Sequence, residues 1–97
     1  MPRLFSINLG GGGGQTDGRA DTFTIPDATQ TFTVTFSSLI SNIDYALNVT
    51  IENNVDPLPI YLTAVVKNKT LTGFDVELNA PTDSANYILN YVALVAV

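Results

Sequence analysis

The chain contains no cysteine among its 97 residues. Disulfide staples and thiolate metal sites are therefore excluded. Histidine is absent too, which removes the most frequent general base, the Ser-His-Asp arrangement and the commonest metal ligand together. Tryptophan is missing, and charged residues make up only 13%, about half the usual quarter. The basic residues are four, Arg3, Arg19, Lys67 and Lys69, against nine acidic ones, for a net charge of -5. That balance argues against a nucleic-acid partner, because phosphate contacts need cations. The most apolar segment, Ile88 to Val97, is too short for a transmembrane helix, and no membrane partner is expected. The front end MPRLFSINL lacks the pattern of a signal peptide. The chain is expected to be made in the cytosol and to be soluble.

The remaining carboxylates do not assemble a reaction. Asp75 and Glu77 sit two apart on one strand-like face, the arrangement of a solubilising edge rather than of two carboxylates across a cleft. Asp17, Asp21 and Asp27 flank a glycine-rich segment, but their spacing matches no calcium loop. The glycine run lacks the strand, helix and lysine of a phosphate loop. No catalytic, cofactor-binding or metal-binding residue is expected, and the chain does not read as an enzyme.

What the chain does have is alternation. In Thr31 to Ser37, Phe32, Val34 and Phe36 alternate with threonines, the period of a half-buried strand. Tyr45, Leu47, Val49 and Ile51 repeat the pattern, as do Phe74, Val76 and Leu78. Ile60 to Val66 and Tyr87 to Val97 read as strands apolar on both faces. ENNVDPLP, KNKTLTG and NAPTDSAN read as turns by their Asn, Asp, Gly and Pro content. No stretch sustains a helical period. The expectation is an all-β fold, a small antiparallel β-sandwich of about six strands, with a domain from 22 to 97. Residues 1 to 21 read as an extended Gly-rich N-terminal arm, in which Leu4 to Leu9 could add a strand.

Two features point to assembly. An antiparallel strand with one solvated face should alternate apolar with polar, yet the last strand carries Tyr87, Leu89, Tyr91, Ala93, Val95 and Val97 on one face and Ile88, Val92, Leu94 and Ala96, interrupted by Asn90, on the other. Either such strands are central and covered on both sides within one chain, which a chain of this size makes hard to arrange, or one face fills the subunit core and the other packs on a neighbour. The second is expected here, since exposed apolar faces are aggregation hazards. The second feature is the run Gly10 to Gly14. Glycine loses the most freedom on ordering, and its small size lets a backbone pass close to another surface. An arm that lies against a partner through Leu4, Phe5, Ile7 and Leu9, with Gly12 at the centre of the run, accounts for it. The expected contact residues are therefore Leu4, Phe5, Ile7, Leu9, Gly12, Tyr87, Leu89, Tyr91, Val95 and Val97. Tyr45, Tyr61, Tyr87 and Tyr91 could instead form an aromatic platform for sugar rings, although inward tyrosines more often belong to the core.

The order Lys69-Thr70, Gly73-Phe74 and then Asn79-Ala-Pro-Thr-Asp83-Ser-Ala-Asn86-Tyr87 resembles small six-stranded sandwiches of the H-type lectin kind. Related modules serve as receptor-binding and decoration domains of tailed-phage particles. The resemblance covers the C-terminal half to two-thirds. It implies a homotrimer and a virion structural protein that decorates or cements the capsid, with the major capsid protein as partner. The alternative it implies is a tail-fibre or receptor-binding knob that grips host glycans. The tryptophan often found on the closing strand of the lectins is missing here.

Overall fold

The computed structural model describes residues 3–8 and 15–96, the first segment and Gln15 as backbone. Seven strands follow one another: β1 (Arg3–Asn8), β2 (Gln15–Ile25), β3 (Thr31–Thr35), β4 (Ala46–Glu52), β5 (Ala64–Thr70), β6 (Gly73–Leu78) and β7 (Tyr87–Ala96). They form two antiparallel sheets. One has the order β2-β7-β4, with β1 of the N-terminal arm added outside β2, and the other has the order β3-β6-β5. The chain is an all-β antiparallel sandwich.

Alternation explains which side chains lie between the sheets. Val34, Phe74, Val76 and Leu78 come from one sheet; Ile25, Tyr87, Leu89, Tyr91, Ala93 and Val95 come from the other. Phe36, Phe74 and Tyr91 meet in edge-on and tilted ring pairs 5.4–6.0 Å apart, and Tyr45 closes the cluster against Phe36 at 5.6 Å. Phe23 of β2 stacks on Phe32 of β3 at 5.0 Å, joining the sheets at one flank. Buried tyrosines need a partner for the hydroxyl. Tyr45 donates to the Gly73 carbonyl at 2.8 Å, and Tyr87 donates to Asp83 at 2.7 Å.

The elements differ from the sequence reading in three places. Ile60 to Thr63 is not strand, and β5 starts at Ala64. Pro57 and Pro59 lack the N–H a ladder needs, and the segment instead crosses between sheets, held where Thr63 and Asn79 exchange hydrogen bonds. The turn expected over KNKTLTG is shorter, because β5 continues to Thr70 through a bulge after Lys67. Asn68 takes the left-handed conformation that such a bulge demands, with φ at 54°. Finally, β2 runs unbroken across the boundary drawn between residues 21 and 22, and pairs with β7 from Thr16 to Ile25. The sandwich thus takes in residues assigned to the arm.

Gly73 is needed where it stands. Its φ is +156°, and a Cβ there would lie 1.9 Å from the Val34 carbonyl oxygen. Close approach of β3 to β6 requires the missing side chain.

Candidate functional site

The two outer faces of the sandwich are chemically unlike. The β3-β6-β5 sheet turns Thr31, Thr33 and Thr35 outward beside Asp75, Glu77 and Lys67, which are paired in register. Lys67 and Glu77 form an ion pair at 2.5 Å. Asp75 accepts from Thr33 at 2.7 Å and Asn68 at 3.0 Å. Those donors hold its carboxyl below the usual range. This is a solvated face.

The β2-β7-β4 sheet turns outward Ala20, Thr22 and Thr24 of β2, Ile88, Asn90, Val92, Leu94 and Ala96 of β7, and Ala46, Asn48 and Thr50 of β4. Glu52 is the single charge on this face among the described residues, and its carboxylate is held by Asn90 and Asn54 at 2.6 and 2.5 Å. Val92, at the centre, is 39% exposed. The result is a charge-poor sheet surface on which Ile88, Val92, Leu94 and three alanines stand among threonines and asparagines.

This placement corrects part of the expected contact set. Tyr87, Leu89, Tyr91 and Val95 are the inward residues of β7, between 0% and 9% exposed. They are core of the chain itself, because their cross-strand partners Val49 and Ile51 of β4 and Phe23 and Ile25 of β2 face the second sheet. The outward face of β7 is the even-numbered one: Ile88, Asn90, Val92, Leu94 and Ala96. Leu4, Phe5 and Ile7 lie on β1, opposite Arg19, Gly18 and Thr16 of β2. Leu9, Gly12 and Val97 lie outside the described residues.

A second feature occupies one end of the sandwich, where the loops 26–30, 53–63 and 79–86 meet. Thr82 is buried and stitches the first loop to the third. It donates to the Pro26 carbonyl at 2.7 Å and accepts from the Thr29 N–H at 3.0 Å. Asp56 joins the second loop to the third. Its carboxylate accepts from Ser84, from Asn53 at 2.7 Å and from Asn86 at 2.8 Å. The Ser84 hydroxyl, with the two amides, holds Asp56 below the ordinary carboxyl range. Tyr87 accepts from the Ile60 N–H at 2.8 Å. Burial, then its bond to Asp83, pushes its phenol up.

These bonds fix a crest of apolar side chains. Val55 is 70% exposed, Leu58 87% and Tyr61 95%. Tyr61 also lines an open groove of about 280 Å³, with Ile51, Glu52, Asn53, Ile60, Leu62 and Tyr87 among others. Of the tyrosines weighed as a sugar platform, Tyr45, Tyr87 and Tyr91 are buried and Tyr61 alone stands out. The sequence reading missed the crest, although the unpaired apolar letters between Pro57 and Tyr61 were its signal.

The opposite end carries the loop 36–45. Arg19, on an inward position of β2, is 3% exposed. Its guanidinium donates to the carbonyls of Ser38 at 3.1 Å, Gly18 at 2.7 Å and Leu39, and pairs with Asp17 at 2.6 Å. Partial burial pushes Asp17 up, but the bonds from Arg19 and Ser41 outweigh it and leave the carboxyl below its ordinary value. Asp17 is thus committed to Arg19. Among the described residues no cluster of His, Cys, Asp and Glu could hold a metal ion.

In comparisons with known protein families, curated proteins and solved structures, the chain matches none.

Proposed function

We propose that the chain is a structural subunit of a phage virion that assembles with copies of itself, as a trimer, and decorates or cements the capsid. The observation that supports it most is the charge-poor outer face of β2-β7-β4, with Val92 at its centre and, among the described residues, no element covering it. Exposed apolar patches rimmed by polar residues mark contact with another protein. The sandwich otherwise follows ordinary practice, with its second outer face charged. The assignment to a tailed-phage particle rests on the likeness of the Lys69–Tyr87 region to virion modules. In this reading the N-terminal arm reaches the capsid.

The test is the mass of the purified chain in solution by light scattering, alongside Val92→Glu and a form lacking residues 1–14. Assembly in the parent and in the shortened form, with a folded monomer for Val92→Glu, is the expected result. A monomeric parent would overturn the proposal. So would a Val92→Glu variant that assembles as the parent does. Attachment to the particle should be lost in the shortened form alone.

A further inference from the structure

We propose that the loop end built from 26–30, 53–63 and 79–86 is a docking surface for a protein partner that presents basic side chains beside an apolar one. The inference does not rest on self-assembly, which uses a different face. Three observations carry it. First, the crest is apolar and preformed: Val55, Leu58 and Tyr61 stand 70–95% exposed, yet the loop under them is tied down by Asp56 to Asn53, Ser84 and Asn86. A surface ordered before binding loses less freedom on binding.

Second, the charge around it has one sign. Asp27, Glu52, Asp56 and Asp83 all belong to this end. The basic residues are placed elsewhere: Arg3 opposite Ala20, Arg19 opposite Ala93, and Lys67 and Lys69 in β5. Acidic groups flanking an apolar crest complement a partner with Lys or Arg around an apolar anchor. Third, the polar groups lining the groove are engaged internally. Glu52 accepts from Asn90 and Asn54. The Asn53 side-chain Oδ1 accepts from the N–H groups of Val55 and Asp56. Tyr87 has both a donor and an acceptor partner. A sugar site needs convergent polar groups to fix its ligand; here the free resource is apolar area and diffuse negative charge.

The experiment is an amide-resolved NMR titration of the full chain with an acetylated hexapeptide of alternating lysine and leucine. The same peptide with glutamate in place of lysine is the control. Expected are shifts confined to residues 52–62 and 83–87, weakening as salt is raised, and little response to the glutamate peptide. Leu58→Ser and Tyr61→Ser should each weaken binding about tenfold, the effect of losing a central anchor. Leu39→Ser, at the opposite end, should leave it unchanged. All three positions are exposed, so the substitutions leave the core untouched, and the dispersion of each variant's amide spectrum checks the fold. Equal binding of the glutamate peptide would overturn the proposal, as would shifts centred on Val92 or no response at all. Groove shifts with galactose or N-acetylglucosamine but not with the lysine peptide would replace it with a glycan site. The mass in solution of Leu58→Ser, unchanged from the parent, separates this result from the fate of the assembly proposal.

Discussion

At the 36–45 end of the sandwich, one buried cation gathers the chain around itself. At the 53–63 end, small neutral donors gather around one carboxylate. Arg19 sits on an inward strand position and meets carbonyls from a loop 19 and 20 residues further on. Its cost of burial is offset only if those partners and Asp17 are all in place. The loop that supplies them closes over the core, with Ile40 1% exposed beneath it. Lys69 adds a bond to the Tyr45 carbonyl at 2.6 Å. Asp56 lies nearer the surface and is served by side chains of Asn and Ser, which cost little to hold. That network organises a loop without drawing it inward, so its apolar side chains remain outside. A charge buried in a core dictates closure; a charge satisfied at the rim permits display.

The contrast can be broken at four points. The largest effect belongs to Gly73→Ala, beside the 36–45 end. A methyl group has no room against the Val34 carbonyl, and β3 must back away from β6. A loss of about 3 kcal/mol or more is expected in urea unfolding, beyond the usual cost of overpacking because backbone must move. Arg19→Ala comes next. It strands the Ser38 and Leu39 carbonyls and leaves Asp17 without its cation, for a loss of about 3 kcal/mol. Arg19→Lys should recover little, since an ammonium cannot span the same acceptors. If alanine at 19 costs no more than an exposed substitution, the account of a cation-centred end fails.

At the other end the effects are smaller. Thr82→Val removes the acceptor for the Thr29 N–H and the donor to Pro26, and should cost about 1–2 kcal/mol by the same unfolding measurement. The smallest effect is the pH response of Asp56. Its folded pKa lies below the unfolded value, about 3.9. Its contribution is therefore present above that value and lost as pH falls through the folded pKa. Asp17 acts in the same direction. Asp56→Asn should lower the melting temperature at pH 6 and flatten its fall as pH drops below about 4. A parallel acid profile for parent and variant would show that Asp56 does not act through its charge.

Much of the sandwich was legible along the chain. β3, β4 and β6 show one apolar and one polar face, and burial of one face sets the register of a strand. β7 was legible as a strand but not as to its orientation, because both its faces are apolar. Only the packing of Tyr91 against Phe74 and Phe36, from the other sheet and the loop after β3, decides that the odd positions point inward. β2 was hidden for the opposite reason. QTDGRAD carries no apolar alternation, since Asp17, Arg19 and Asp21 hold positions that pair with core residues Val95, Ala93 and Tyr91.

The amino-acid order by itself determined the class of fold, the polar outer faces of β3 and β6 and the absence of histidine and cysteine chemistry. These follow from local periodicity and composition, which need no partner elsewhere in the chain. The inward charge of β2, the inner face of β7 and the crest above Asp56 were decided by tertiary structure alone. Each depends on groups far apart in sequence: carbonyls of Ser38 and Leu39 for Arg19, rings of a second sheet for Tyr91, and Ser84 and Asn86, 28 and 30 residues away, for Asp56. A side chain's burial or display is a property of such meetings, and they exist only once the two sheets have closed on each other.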